Sequence, residues 1–274
     1  MNGDTLRFTI LGCGSSGGVP RLGGDDGGGN WGRCDPANPK NRRRRCALLA
    51  ERIGAQGATR LLIDAGPDLR EQLLSAKVGL LDAALITHEH ADHVHGIDDL
   101  RPIVLNRRQR LDIWADPGTA AMLSQRFSYV FEQPEGSTYP PIYDLRIHDD
   151  TVRIEGAGGS LEAVAHVVDH GPGFEARGFR IGGLAYTPDV SALRGDTAER
   201  LAGLDVWIVD ALRWTPHPTH AHVDLALEWI EAIAPKRAVL TNLHNDLDYA
   251  ELAAYLPAAV EPAWDGMRIE LPVS

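Results

Sequence analysis

The chain has 274 residues, and no Pro/Ser-rich linker, repeat or low-complexity block divides it, so a single domain over 1–274 is expected. Asp and Glu number 38 against 27 Lys and Arg; the net charge of −11 argues against a broad nucleic-acid surface. Three widely spaced cysteines make no disulfide framework and no Cys-x-x-Cys knuckle, and neither a secretion signal nor a membrane-length apolar run is present, so a cytoplasmic protein with no membrane association is expected.

Residues 6–11 alternate as a first strand and run into Gly12-Cys13-Gly14-Ser15-Ser16-Gly17. That spacing matches a dinucleotide-binding fingerprint, which must open a helix. Gly18-Val19-Pro20 and the glycines from Gly23 to Gly29 forbid one, so a flexible loop is expected. Residues 20–46 form a long segment rich in Gly, Pro, Asn and Arg. Its run Arg42-Arg43-Arg44-Arg45 reads either as solvated charge or as a grip on a substrate phosphate, with Arg44 and Arg45 as the candidates.

Residues 46–50 and 59–64 read as paired strands around a turn at Gly54 to Gly57, and 68–76 has helical spacing. A buried strand follows at 83–86, then a helix from Ile97, a strand at 111–114 and a helix from Thr119. Residues 131–143 are Pro- and Tyr-rich and read as a loop or lid; strands follow at 152–154 and 161–165. Alternating strands and helices imply a layered α/β domain.

Chemistry concentrates where the strand at 83–86 ends. Thr87-His88-Glu89-His90-Ala91-Asp92-His93 places four metal-accepting side chains, His88, His90, Asp92 and His93, within six residues. His88 and His90, two apart on extended chain, face the same way, and Asp92 and His93 lie beyond the turn. One tight turn can therefore feed two adjacent ions. After the strand at 161–165, His170 leaves at a Gly-Pro turn and is preferred as a donor over His166, which has apolar neighbours.

The His-x-His-x-Asp-His pattern resembles the signature of the metallo-β-lactamase fold superfamily. The resemblance implies a four-layer αβ/βα sandwich with a metal site at one edge, and Asp64 as a carboxylate supporting the histidine motif. Thr187-Pro188-Asp189 resembles the superfamily's fourth motif, which implies that Asp189 bridges two ions. His244, after the strand at 238–243, stands where the last ligand is expected.

The order of Gly-Cys-Gly-Ser-Ser-Gly, the histidine motif, Thr-Pro-Asp, the loop bearing His217, His220 and His222, and the terminal strand with His244 resembles the phosphoribosyl 1,2-cyclic phosphate phosphodiesterase branch over nearly the whole chain. That resemblance implies a hydrolase using two divalent ions, manganese or zinc, held by His88, His90 and His170 and by Asp92, His93 and His244, with Asp189 between them. A hydroxide shared by the ions would attack phosphorus, and His220 would protonate the departing alkoxide. His220 and Asp92 are the candidate catalytic residues; His217 and His222 join Arg44 and Arg45 as candidates for holding phosphate. The expected partner is a small cyclic, ribose- or nucleotide-type phosphodiester, with no large nucleic acid and with a homodimer left open.

Two departures stand out. The branch reads Thr-His where this chain has Thr241-Asn242, and Cys13 and Cys34 are too sparse for the branch's accessory zinc, so no structural zinc is expected. The alternatives are a tRNA 3′-processing endonuclease of the same fold and a non-hydrolytic nucleotide-binding protein.

Overall fold

The computed structural model describes residues 4–273. Its first elements are β1 (Thr5–Gly12), β2 (Ala47–Gly54), β3 (Gly57–Ile63), α1 (Leu69–Ala76), β4 (Ala83–Leu85), α2 (Ala91–Val94), α3 (Arg101–Arg107) and β5 (Leu111–Ala115). Next come α4 (Pro117–Arg126), α5 (Ser128–Phe131), β6 (Tyr143–Ile147), β7 (Thr151–Ile154), β8 (Leu161–Asp169), β9 (Glu175–Ile181), β10 (Leu184–Thr187) and β11 (Ala192–Leu193). The chain ends through α6 (Thr197–Arg200), β12 (Val206–Asp210), α7 (Val223–Ile233), β13 (Arg237–Thr241), α8 (Tyr249–Tyr255), β14 (Val260–Pro262) and β15 (Arg268–Pro272).

Among the described residues, one sheet runs β15–β1–β2–β3–β4–β5–β6, and a second runs β11–β8–β9–β10–β12–β13–β14 with β7 beside β8. The chain forms two compact units. One takes residues through Thr9, Ala47–Ala163 and Arg268–Val273; the other takes Ile10–Cys46 and Val164–Met267.

In the first unit, β2 and β3 pair antiparallel from Leu48–Ile63 to the Gly54–Gly57 turn, and β3, β4, β5 and β6 pair parallel. All three residues of β4 are buried, which is why this strand reads as an apolar run rather than an alternation. The parallel strands β3 and β4 deliver Asp64 and Thr87 at their carboxyl ends, where ligand sites of open α/β sheets form. The helix expected from Ile97 starts as one tight 3₁₀ turn, Ile97–Leu100, and then becomes α3.

In the second unit, β8, β9 and β10 pair antiparallel, while β10, β12, β13 and β14 pair parallel. Helix α7 turns Val223, Ala226 and Ile230 into a core shared with Trp207, Val209 and Leu240. His166 on β8 faces Gly178 on β9, and a Cβ at 178 would stand 2.1 Å from His166 Nε2. Glycine there makes room for an imidazole inside the sheet.

Segment 20–46 is tied down by Arg43, which is 1% exposed. Its Nη2 donates to Leu247 O (2.7 Å) and Asn41 Oδ1 (3.2 Å), and its Nη1 donates to His244 O (3.1 Å). Asn41 in turn donates to Asp35 O and Asp248 Oδ2, and accepts from Tyr249 N. The guanidinium thus braces segment 34–43 against the turn after β13. Arg43→Met keeps much of the volume but strands these buried acceptors. It should lower the urea midpoint by the equivalent of about 2–3 kcal/mol at unchanged m-value, read by circular dichroism.

Candidate active site

In the first unit the site is built around Asp64, wholly buried at the end of β3 in a left-handed conformation (φ 67°). Thr87 N donates to its Oδ1 at 2.9 Å, and the Thr87 hydroxyl lies 3.0 Å from both carboxylate oxygens. His93 Nδ1 lies 2.8 Å from Oδ2. Burial pushes the Asp64 carboxyl up; the neighbouring His93 and the Thr87 donors pull it back down.

These contacts fix proton positions. Thr87 has one hydroxyl proton and gives it to Asp64, so Thr87 Oγ1 accepts from His88 Nδ1, 2.9 Å away. His93 likewise spends its Nδ1–H on Asp64. In the neutral tautomer of each ring, Nε2 is then the unprotonated nitrogen. His88 Nε2 lies 3.0 Å from His90 Nδ1, and His93 Nε2 lies 3.5 Å from Asp92 Oδ2. The His88 and His93 ring centroids are 4.2 Å apart.

The second unit repeats the device. His170 Nδ1 donates to Thr219 O at 2.7 Å, since a carbonyl can only accept, so in the neutral ring Nε2 is the unprotonated nitrogen. That nitrogen lies 3.5 Å from Asp189 Oδ2. His170, Asp189 and His220 each offer a ligand atom within 4.8 Å of the others. His220 Nδ1 sits 2.9 Å from Asp210 Oδ2, and Val190 N donates to the same oxygen at 3.0 Å. Burial pushes the Asp210 carboxyl up to about 7, while the adjacent His220 opposes that rise.

The donor chemistry fits divalent cations. An imidazole nitrogen and a carboxylate oxygen converge at 3.5 Å in each unit, His93 with Asp92 and His170 with Asp189, an arrangement that can close around a cation. Imidazole and carboxylate donors suit a divalent cation.

The remaining candidates fall into distinct places. His244 is hydrogen-bonded to Asp246 at 3.1 Å and lines a cavity of about 210 Å³ with Ser15, Ser16, Arg21, Leu212, Arg213, His217 and His220. The side chain brought up to Asp189 from the end of β13 is Asn242, in a left-handed conformation (φ 62°), with Nδ2 3.3 Å from Asp189 Oδ1 and 3.1 Å from His220 Nδ1. His222 precedes α7, where its carbonyl accepts from Ala226 N. Arg44 is committed to the part-buried Asp265 at 2.9 Å, and Arg45 lies against Gly18. The arginines on the cavity wall are Arg21 and Arg213, which sequence reasoning missed. It missed Asp210 as well, although Asp210 ends a buried strand much as Asp64 does.

A family model described as a beta-lactamase superfamily domain matches residues 59–242. The chain belongs to the beta-lactamase superfamily. A solved structure described as a new diphosphatase from the PhnP family is 32% identical, with a TM-score of 0.85 over 98% of both chains, and places this member in the PhnP branch of the superfamily. Its two mixed sheets are those of the metallo-β-lactamase fold.

A protein of Porphyromonas gingivalis named octanoyltransferase is 30% identical over 96% of this chain and 51% of its own length. Ribonuclease Z of Deinococcus radiodurans is 35% identical over 81 residues, 29% of this chain and 24% of that protein. This superfamily member therefore spans about half of the first relative and about a quarter of the second. Among the described residues, no helix is long and apolar enough to cross a membrane.

His166 is a core residue. Its Nε2 meets Thr187 Oγ1 at 2.9 Å, and burial depresses its pKa to about 3, with Arg200 adding to the shift. The folded state refuses a proton that the unfolded chain accepts below about 6.5. Stability should therefore fall as pH drops from about 6.5 toward 3, with this ring contributing at most about 1.4 kcal/mol per pH unit. In an NMR titration His166 should stay neutral at pH 5, and His166→Gln should flatten this part of the stability profile.

Proposed function

We propose that this chain is a metal-dependent hydrolase that opens a small phosphodiester of cyclic ribose or nucleotide type, and that its two units are halves of one catalytic domain spanning 1–274. The reading assigns divalent ions to His88, His90, Asp92 and His93 of the first unit and to His170 and Asp189 of the second. The observation that carries it is the convergence of an imidazole nitrogen and a carboxylate oxygen at 3.5 Å in each unit, His93 with Asp92 and His170 with Asp189. Manganese or zinc, two per chain, suits these donors. When bound, such ions supply Lewis acidity toward a phosphoryl group and toward water.

The chain's own residues supply positioning and proton handling. Asp64 and Thr87 hold the His88 and His93 rings so that their Nε2 atoms are the donors. Asp210 holds His220 by Nδ1, which leaves Nε2 as the atom that hands a proton to the departing alkoxide. Asp210 also steadies the imidazolium before transfer. In this assignment His244 belongs to the cavity wall, and Asn242 orients Asp189.

Processing of tRNA 3′ ends is the second reading, supported by the ribonuclease Z match. The net charge of −11 counts against a folded RNA as substrate.

Three outcomes follow. Protein supplied with manganese or zinc should hydrolyse bis-p-nitrophenyl phosphate and nucleoside 2′,3′-cyclic phosphates, lose that activity with a chelator and regain it with metal; metal-replete protein no faster than chelated protein would sink the reading. Asp64→Asn should weaken metal affinity by about 10–100-fold in a chromogenic-chelator competition, because it leaves one acceptor oxygen where Thr87 and His93 use two. His220→Ala should lower kcat by about 10²–10⁴-fold on a diester with a poor leaving group, and far less on a nitrophenyl ester that leaves without a proton.

A further inference from the structure

Asn242 follows β13 directly, 2% exposed and in a left-handed conformation (φ 62°). The backbone is pinned on both sides of it. Thr241 O accepts from Ala211 N at 3.0 Å, and Leu243 N donates to Cys13 O at 2.8 Å. Little backbone freedom is left, and the side chain meets Pro188, Asp189 and His220 of the same unit.

Its Nδ2 has three polar neighbours and only two protons. Pro188 O lies at 3.1 Å, Asp189 Oδ1 at 3.3 Å and His220 Nδ1 at 3.1 Å. A carbonyl can only accept, so Pro188 O fixes which end of the carboxamide is nitrogen. The second proton goes to Asp189 Oδ1. His220 Nδ1 needs neither, because it gives its own proton to Asp210 Oδ2 at 2.9 Å. The amide therefore has one consistent orientation, and its nitrogen, not its oxygen, meets Asp189.

That orientation divides the two oxygens of Asp189. Oδ1 accepts from an N–H. Oδ2 faces imidazoles, with His170 Nε2 at 3.5 Å and His220 Nδ1 at 3.8 Å. An N–H and a cation compete for the same lone pairs, so the oxygen beside His170 is the better ligand of the two.

We propose that Asn242 fixes Asp189 as a one-oxygen ligand, which makes the ion of the second unit the weaker, exchangeable member of an unequal pair. The number of ligands points the same way. In the assignment above, the first unit brings His88, His90, Asp92 and His93 to its ion, and the second brings His170 and Asp189. Asn242 stands beside that pair but presents a donor where a ligand atom would have to accept. Turnover is then governed by the supply of free metal, because protein carrying the tight ion alone is idle until the second arrives. The inference rests on the metal-dependent hydrolase reading for this link to turnover; the binding itself is measured without it.

The experiment titrates metal-free full-length protein with manganese and reads free Mn²⁺ from its electron paramagnetic resonance signal. Wild type should show two classes of site, with dissociation constants about tenfold or more apart. His170→Gln should abolish the weak class and leave the tight constant within about threefold, since it touches the second unit alone. Asn242→Asp and Asn242→His each put an acceptor where the N–H stood, and both residue types tolerate a left-handed backbone. Each should tighten the weak class by about tenfold or more. Histidine adds no negative charge, so it separates ligation from plain attraction.

Two equal constants in wild type overturn the proposal, as does a weak class that Asn242→His leaves unchanged or a tight class that His170→Gln removes. If Asn242→His does not fold, Asn242→Asp titrated in about 1 M salt, where plain attraction between exposed charges is screened, replaces it, and an unchanged weak class there is equally decisive. Hydrolysis of bis-p-nitrophenyl phosphate by wild type should rise with manganese across the weak constant. Unequal constants without any turnover would sink the hydrolase reading and leave the inference standing; turnover with equal constants would do the reverse.

Discussion

One buried carboxylate sets the terms for the first unit. Asp64 has no exposed surface, yet its two oxygens receive the Thr87 N–H and hydroxyl and the His93 ring. Those contacts decide which tautomer a neutral His93 adopts, and through the single proton of Thr87 they decide the same for His88. Two imidazole nitrogens are thus oriented by a group that touches neither. Burying the carboxylate is costly, as the upward push on its pKa shows, and the charge-assisted hydrogen bonds around it offset that cost.

The second unit reaches the same result with different parts. A carbonyl, Thr219 O, fixes His170, and a buried carboxylate, Asp210, fixes His220. Asp64, Asp189, Asp210 and Asn242 all sit where strands β3, β10, β12 and β13 end, and each of these strands has a parallel neighbour. Parallel strands expose their terminal residues along one edge of a sheet, so a polar residue one or two positions past the last buried side chain arrives at that edge with little adjustable backbone left. Left-handed Asp64 and Asn242 are the local cost of turning there, and Asp and Asn are the residue types that tolerate it best after glycine.

How much of this could be read from the sequence depended on how local the signal is. The histidine motif, the hairpin around Gly54 and Gly57, and the helix at 69–76 are written in consecutive residues, and each stands within a residue or two of its expected place. The terminal elements α8, β14 and β15 went unread because two of them are short, and β15 pairs with a strand more than 250 residues away. The arginine run shows the limit most clearly. Four identical side chains in a row meet four environments: Arg42 stacks over Trp31, Arg43 is buried, Arg44 pairs with Asp265, and Arg45 packs on Gly18. Alternating strand-like geometry and distant partners made that division, and neither is visible in a run of one letter. The same holds for Arg21 and Arg213, which are remote in sequence and meet only because the loops after β1 and β12 line one cavity.

The charge distribution bears on what this superfamily member accepts. A molecule with net charge −11 repels polyanions at long range, and salt screens that repulsion beyond roughly 10 Å. Inside the cavity, two guanidiniums without a lining carboxylate reverse the sign over a few ångströms. A small anion that enters feels mainly the local field, whereas an RNA lying across the surface feels mostly the global one. The contrast therefore discriminates by size as well as by charge, because only a small anion escapes the global repulsion to reach the locally positive wall. Because Arg213 is held in its plane by two backbone carbonyls, its guanidinium has little side-chain entropy left to lose, so this part of the cavity wall is organised in advance.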